Sequence, residues 1–562
     1  MHAPTPPASY RDIFTPKLVT ALRDGYTLQD LRADALAGLT VAIVALPLAM
    51  AIAIASGTTP DRGLITAIVA GFLISALGGS RYQIGGPTAA FIVVVFQVID
   101  EHGLAGLTLA TLMAGVILVV LGLMRLGTYI KYIPYPVITG FTAGIAVSIA
   151  ASQLKEALGL DAPMPADFAE KIAVIAAHIG ETRPETVAVT LASVALILGL
   201  RRWRPHWPGF LIAVVTGSLA VTLLGLDAAT VGERFGAVPS SIPAPRLPPM
   251  DWALVQAVVP DALTIALLAG IESLLSAVVA DGMTGRRHRS NCELVAQGVA
   301  NIASALFGGI SATGAIARTA TNIRAGARTP VAGILHAVFL LAFMLVAAPL
   351  LAYVPLAVLA GILLIVAWSI SEAPHVRDIL RSASSGDRFV LVGTFLLTVF
   401  TDLTVGIAFG VVTAAVLFVH EMAEAVEVET HEQLIEEDRP DSAAGGAVEG
   451  TSLPADVVVY RIRGPFFFGA AQRVTAVLDR IGETPGRLLL DLSGVPFIDS
   501  TGAAALKTLV HRAKASGTRL FVVGPSPLVE AHLDRLGLTQ TVLPRHKSAA
   551  AAVAATDSGA GS

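Results

Sequence analysis

The sequence predicts a polytopic α-helical membrane protein of about 14 spans, built as two inverted halves of about seven each, followed by a small soluble α/β domain. Three observations carry that expectation. The chain is 54% hydrophobic and only 14% charged, with a mean hydropathy of +0.72, whereas a soluble domain carries about 25% charged residues. Long windows contain no Asp, Glu, Lys or Arg, and two Gly-rich interruptions occupy matching places in the two halves. The same composition excludes other classes. A net charge of −4 on 562 residues gives no reason to expect nucleic acid, and the single cysteine, Cys292, rules out an intrachain disulfide.

The elements follow in chain order. Residues 1–30 are polar and mixed in charge, without a cleavable signal, and are expected to stay cytoplasmic. The membrane part is expected over 31–422, with repeats at about 31–226 and 255–422, because about 20 apolar residues cross a core of roughly 30 Å. Charge-free windows cover 35–60, 63–80, 102–124, 132–154, 205–226 and 329–371, the last long enough for two crossings with Pro349 and Pro355 marking the turn. Shorter runs lie at 82–99, 186–200, 260–280, 292–308, 313–324, 389–401 and 403–420. With the N-terminus inside, the even-numbered connections carry Arg81, Arg125, Lys131, Arg201, Arg202, Arg204, Arg286, Arg287, Arg289, Arg324, Arg328, Arg377, Arg381 and Arg388, which satisfies the positive-inside rule. Asp402 marks an outer turn. A breaker-rich linker is expected over 423–454. A soluble domain over 455–547 follows, in which DVVVYRIRG, GRLLLDLSG and TRLFVVG read as strands, and AAQRVTAVLDRIG, TGAAALKTLVHRAKASG and PLVEAHLDRLG as amphipathic helices. The Ala, Gly and Ser tail over 548–562 is expected to be disordered.

Function is sought where the membrane pattern breaks. GGSRYQIGGPTAAFIVV (78–94) and FGGISATGAIARTATNI (307–323) both combine a Gly pair with small hydroxyl residues and are too irregular for one spanning helix. They fall on the third and tenth spans, the same place in halves of opposite orientation. Half-helices that start there aim free N–H groups and positive dipole ends at one point near the midplane, the arrangement of a transporter site for an anion. The alternative is close helix packing through small residues. No cluster has metal spacing, and no nucleophile, base and acid are grouped for catalysis.

The segments ALAGLTVAIVALPLAMAIAIASG, GGSRYQIGGPTAAF and IESLLSAVVADGMTGRRHRSNCELVAQGVANIASALFGGISATGAIARTATNIRAGARTP resemble the SulP family of sulfate permease-like anion transporters, and LLLDLSGVPFIDSTGAAAL resembles the STAS domain of that family. The resemblance runs from about Leu31 to Pro544. It implies a 7+7 inverted repeat with a core domain moving against a gate domain, in the manner of an elevator, and a homodimer in the inner (plasma) membrane with the STAS domain cytoplasmic. It implies transport of sulfate, bicarbonate, chloride or a dicarboxylate and no cofactor; the motifs are most similar to those of the four-carbon dicarboxylate transporter of enteric bacteria.

Glu272, in GIESLL, is a carboxyl in the eighth span, where an acid costs about 2.5–3.5 kcal/mol and is retained for function or reduced by a partner or proton. Ser276 lies one turn on. In sodium-coupled bicarbonate members, which this block resembles, an acid and a hydroxyl at these positions help bind sodium with tenth-span backbone that matches Gly314, Ala315 and Ile316. Ile316 departs from the threonine of that pattern, which favours a proton as the coupling ion over sodium. For the substrate, Thr88 offers a hydroxyl and a backbone N–H, with Ala89, Ala90 and Phe91 shaping the cavity beside Gly314 and Ala315. Arg318 resembles the family's anion-attracting arginine; its alternatives are a salt bridge to Glu272 or snorkelling to the interface. Pro47 is expected to kink the first span, and Leu48 replaces the glutamine common after it. Asp281, Arg286, Arg287, His288 and Arg289 read as interface anchors, and Gln297 and Asn301 as bonds between helices. Thr501 sits where related STAS loops are phosphorylated, although helix capping alone explains Ser500 and Thr501 better. The expectation is a proton-coupled anion symporter, against a sodium-coupled bicarbonate symporter, a passive anion channel or exchanger, and a membrane-tethered signalling protein.

Overall fold

The computed structural model describes residues 13–129, 134–204, 207–237, 239–401, 403–424, 427–431, 457–467, 486–515, 517–548, 551, 552 and 554, in two units, Met1–Val411 and Val412–Ser562. Lys131, Asp402, the helix expected over 470–482 and most of the expected linker and tail lie outside the described residues.

The first unit is helical. A short helix α1 (Lys17–Arg23) precedes α2 (Leu28–Ala55), which starts at a reciprocal cap: Thr27 Oγ1 accepts from Asp30 N at 3.2 Å and Asp30 Oδ2 accepts from Thr27 N at 3.0 Å. Then come α3 (Pro60–Leu77), the two-residue strand β1 (Gly85–Gly86), α4 (Ile92–Leu123), α5 (Tyr135–Leu158), α6 (Phe168–Ala177), α7 (Pro184–Trp203), α8 (Gly209–Leu224), α9 (Val231–Phe235) and α10 (Trp252–Ala257). The second half continues with α11 (Val259–Thr284), α12 (Ser290–Leu306), β2 (Thr313–Gly314), α13 (Ile316–Arg324), α14 (Val331–Leu351), α15 (Leu356–Ile370), α16 (Ala373–Ser382), α17 (Ser385–Phe400) and α18 (Leu403–Glu424), whose residues from Val412 on belong to the second unit. Among the described residues nine helices are long and apolar enough to cross a membrane, and each span expected from the sequence carries a helix.

Local backbone chemistry accounts for two departures. The third and fourth expected spans form the single element α4, broken at Gly103 (φ 66°, ψ −173°). Pro349 does not turn the chain: it lies inside α14 near its end, and the turn is 352–355, with Pro355 at the start of α15. Proline is tolerated where a helix is about to stop or start. α2 stays helical on both sides of Pro47, the position of the expected kink.

The second unit is a five-stranded sheet in the order β3 (Glu427–His431), β4 (Val457–Arg463), β5 (Arg487–Gly494), β6 (Arg519–Val523) and β7 (Arg545–His546). β3 is antiparallel to β4, and the other neighbours are parallel. Helices α19 (Ser500–Ala515) and α20 (Pro527–Arg535) make the β5–β6 and β6–β7 crossovers. The core holds Ile462, Leu490, Leu492, Leu506, Val522, Val529 and Leu533. Two boundaries move. Glu427–His431, read as linker, is an edge strand, because backbone pairing to β4 needs no apolar side chains. Ala552, read as disordered tail, is fully buried with Val457, Val459, Leu489 and Val523.

Candidate functional site

The site starts from the two interruptions. β1 and β2 pair antiparallel, Gly85 opposite Gly314 and Gly86 opposite Thr313, and Ala315 N donates to Ile84 O at 2.9 Å. Gly86 has φ +145°, and a β-carbon there would meet Arg318 Nη1 at 2.7 Å, so only glycine fits. The chain leaves the ladder on both sides into a helix. Thr88 (φ −119°, ψ 154°) precedes a 3-10 turn, Ala89–Phe91, and then α4, while Ala315 (φ −100°, ψ 111°) precedes α13. Two helix N-termini from opposed halves therefore begin within a few residues of one short ladder, and their N–H groups and positive dipole ends share a small volume.

Helix α11 forms the third wall. Glu272 lies about 20 Å along its axis from Val259, and its Oε2 accepts a hydrogen bond from Thr88 Oγ1 at 2.9 Å. Ser276 donates to Thr319 Oγ1 at 3.1 Å and is fully buried. Gln83 Nε2 donates to Ser273 O at 3.1 Å, and Thr313 Oγ1 to Ala269 O at 3.0 Å. Glu272 as a whole residue is half-buried.

Arg318 is nearly sealed, at 2% exposure. Its Nη2 donates to Pro87 O, while Nε and Nη1 are buried without a hydrogen-bond partner. It neither snorkels nor forms an ion pair within 4 Å of Glu272. The guanidinium instead ties α13 to the backbone just before Thr88, with the Glu272 carboxylate as an opposite charge at longer range. Thr319 and Asn322 extend the same seam: Thr319 Oγ1 accepts from Ile84 N at 3.1 Å, and Asn322 Nδ2 donates to Tyr82 O at 2.9 Å. The α12 side is pinned by a reciprocal pair, Asn301 Nδ2 to Ala312 O and Ala312 N to Asn301 Oδ1, both 2.8 Å. Thr66 Oγ1 accepts from Ile310 N at 2.7 Å.

Thr88, Ala89, Gly314, Ala315, Arg318, Glu272 and Ser276 are thus brought to one place. Phe91 is wholly buried in the core behind it, with Leu48 also in that core. Ile316, at the first turn of α13, is 40% exposed. Sequence reasoning missed Gln83, Thr319 and Asn322. Their signal was present as polar residues on adjoining turns of ARTATNI and between the two Gly pairs of GGSRYQIGG. In the second unit Thr501 is exposed at the start of α19, but the cap is Asp499, whose Oδ1 accepts from Gly502 N at 2.8 Å.

Residues 31–394 match the model of the sulfate permease family, and 452–552 that of the STAS domain. The chain is 40% identical over 528 residues to a putative sulfate transporter, YvdB, of Bacillus subtilis (strain 168), covering 93% of this chain and 97% of that one. It is 31% identical over 534 residues to the bicarbonate transporter BicA of Picosynechococcus sp., covering 92% of each. Among solved structures, the transmembrane domain of a cyanobacterial BicA aligns with a TM-score of 0.62 at 34% identity, over 68% of this chain and 98% of that one. Murine Slc26a9 in the inward-facing state aligns with a TM-score of 0.85 over 99% and 96%, at 20% identity, a likeness of fold alone.

Proposed function

The chain belongs to the sulfate permease family and is an anion transporter of that family, and from this premise we propose that it is a secondary active, proton-coupled symporter of a small oxyanion. One observation carries the coupling: the Thr88 hydroxyl, at the head of one half-helix, is held by the Glu272 carboxylate at 2.9 Å. In that state the hydroxyl points away from an incoming anion and the carboxylate repels it. A proton on Glu272 removes the negative charge and frees the hydroxyl to turn toward the anion, which then meets two helix N-termini and the Arg318 charge. Proton and anion therefore favour each other's binding, and the linkage is reciprocal. Loaded with a proton and a monoanion, the site keeps the same net charge as the empty one and can cross the membrane with its carrying helices.

Sulfate and bicarbonate are the leading substrates, since the relatives' names supply both, with four-carbon dicarboxylates the further candidate. The N-terminus and STAS domain are assigned to the cytoplasm and the protein to the plasma membrane, as a homodimer that moves a core domain past a gate domain. Thr501 is assigned as a regulatory phosphorylation site. Uptake of labelled sulfate into proteoliposomes under an imposed inward proton gradient, with bicarbonate and a four-carbon dicarboxylate as competitors, tests the reading. Accumulation above equilibrium supports it; flux that only follows the anion gradient identifies a passive channel or exchanger, and stimulation by sodium alone identifies the sodium-coupled alternative.

A further inference from the structure

Lys171 is a buried cation that the central site does not use. It lies on α6, whose N-cap Asp167 accepts from Glu170 N at 3.0 Å. α6 packs on α5 and α17, with Phe168 edge-on to Phe400 at 5.5 Å between ring centres. From that position Lys171 reaches inward and is only 8% exposed.

Burying an ammonium requires compensation, yet no carboxylate among the described residues lies within 4 Å of it. Its partners are the Ser152 hydroxyl on α5, at 3.2 Å from Nζ, and the face of the Phe96 ring on α4, whose centre is 5.6 Å away. Ser152 donates its own proton to Ser148 O at 2.9 Å, so it meets Lys171 as an acceptor. An ammonium has three N–H groups; one goes to Ser152 and one faces the ring, which leaves donor capacity unused, with the Asp167 carboxylate one turn back on α6 as an opposite charge at longer range. Phe96 lies on the half-helix that starts beyond Thr88, about 12 Å farther along its axis. The cation therefore stands about midway along the same half-helix whose N-terminus heads the central site and which breaks at Gly103, in the seam between α4 and α5.

We infer that Lys171 and Ser152 form a second anion site on the approach to the central one, taking a small oxyanion of the transported class. The weak contact with the Phe96 ring is exchanged for the anion when α4 and α5 separate, and the anion then passes along the half-helix to Thr88. The inference rests on the transport reading above.

The full-length protein in oriented proteoliposomes tests it through initial uptake rates against anion concentration at two ionic strengths, with Lys171→Met, Lys171→Arg and Ser152→Ala. Methionine keeps an unbranched apolar stem, so packing is largely retained. The expected result is a rise of about tenfold in the half-saturating concentration for Lys171→Met, with a smaller rise for Ser152→Ala, little change in maximal rate, a weaker dependence on ionic strength, and recovery with Lys171→Arg. A wild-type half-saturation in Lys171→Met overturns the site. So does a loss confined to maximal rate and thermal stability, which would make Lys171 a structural tether. Ser152→Ala reads the same site if Lys171→Met does not fold. A wild-type protein that takes up no anion would instead overturn the transport reading itself.

Discussion

Arg318→Met separates two roles that the structure assigns to one guanidinium. Structurally, the substitution removes the bond from Nη2 to Pro87 O and leaves a buried carbonyl, a loss of about 1–3 kcal/mol. It also removes a buried charge with no carboxylate within 4 Å, whose desolvation opposes folding, so the two terms offset and the net change in stability is small. Binding is different. Pro87 adjoins Thr88, so an anion at the Thr88 hydroxyl sits about 6 Å from the guanidinium, one Cα step beyond its carbonyl contact. At an effective dielectric of about 20 the attraction is about 332/(20 × 6), close to 3 kcal/mol, or roughly 100-fold in affinity as an upper figure. Arg318→Lys keeps the charge and should retain most of that affinity. The assay pairs thermal unfolding of the purified protein with concentration-dependent uptake in proteoliposomes. A folded Arg318→Met variant with wild-type half-saturation would refute the electrostatic role, and one that fails to fold while Arg318→Lys folds and transports normally would make the charge chiefly structural.

Two other tests address the scaffold. A β-carbon at Gly298 on α12 would meet Gly115 O at 2.5 Å and Val119 N at 2.7 Å on α4; because both are backbone atoms the helices must part, and Gly298→Ala should destabilise the membrane unit by about 1–3 kcal/mol, read as a lower unfolding temperature. In the soluble unit, burial of Asp491 acts to raise its pKa, but hydrogen bonds from Ser493 and the Arg461 guanidinium outweigh it and hold the carboxyl below the ordinary carboxylate value. A depressed folded-state pKa means stability that is present above the unfolded value of about 3.9 and lost as pH falls through the folded one. Asp491→Asn should flatten the acid limb of hydrogen-exchange protection across β4 and β5, and an unchanged acid limb would show that Asp491 does not govern it.

Spans and breaks were legible because hydrophobic length and glycine-rich interruption are local signals. GGSRYQIGG and FGGISATG announced that two helices could not run through, and equal rank in the two halves suggested that they meet. What stayed hidden was pairwise. Nothing in the sequence near Arg318 says that its nearest acceptor is the Pro87 carbonyl rather than Glu272, since the choice depends on how α13 lies against a loop 231 residues earlier. Likewise the hydroxyl of Ser276 was read toward a coupling ion, whereas Thr319 is its hydrogen-bond partner. The edge strand Glu427–His431 escaped notice because its stability lies in a backbone ladder to β4, which leaves no hydrophobic pattern to read.

The proton gradient experiment with Glu272→Gln bears most directly on coupling at the joined half-helices. Glutamine keeps the shape and stands in for the uncharged, protonated acid but cannot exchange a proton. The account predicts that wild-type protein accumulates the anion above equilibrium when an inward proton gradient is imposed, while Glu272→Gln still exchanges anion across the membrane but no longer accumulates it. Uphill, proton-driven uptake of normal size in Glu272→Gln would contradict it.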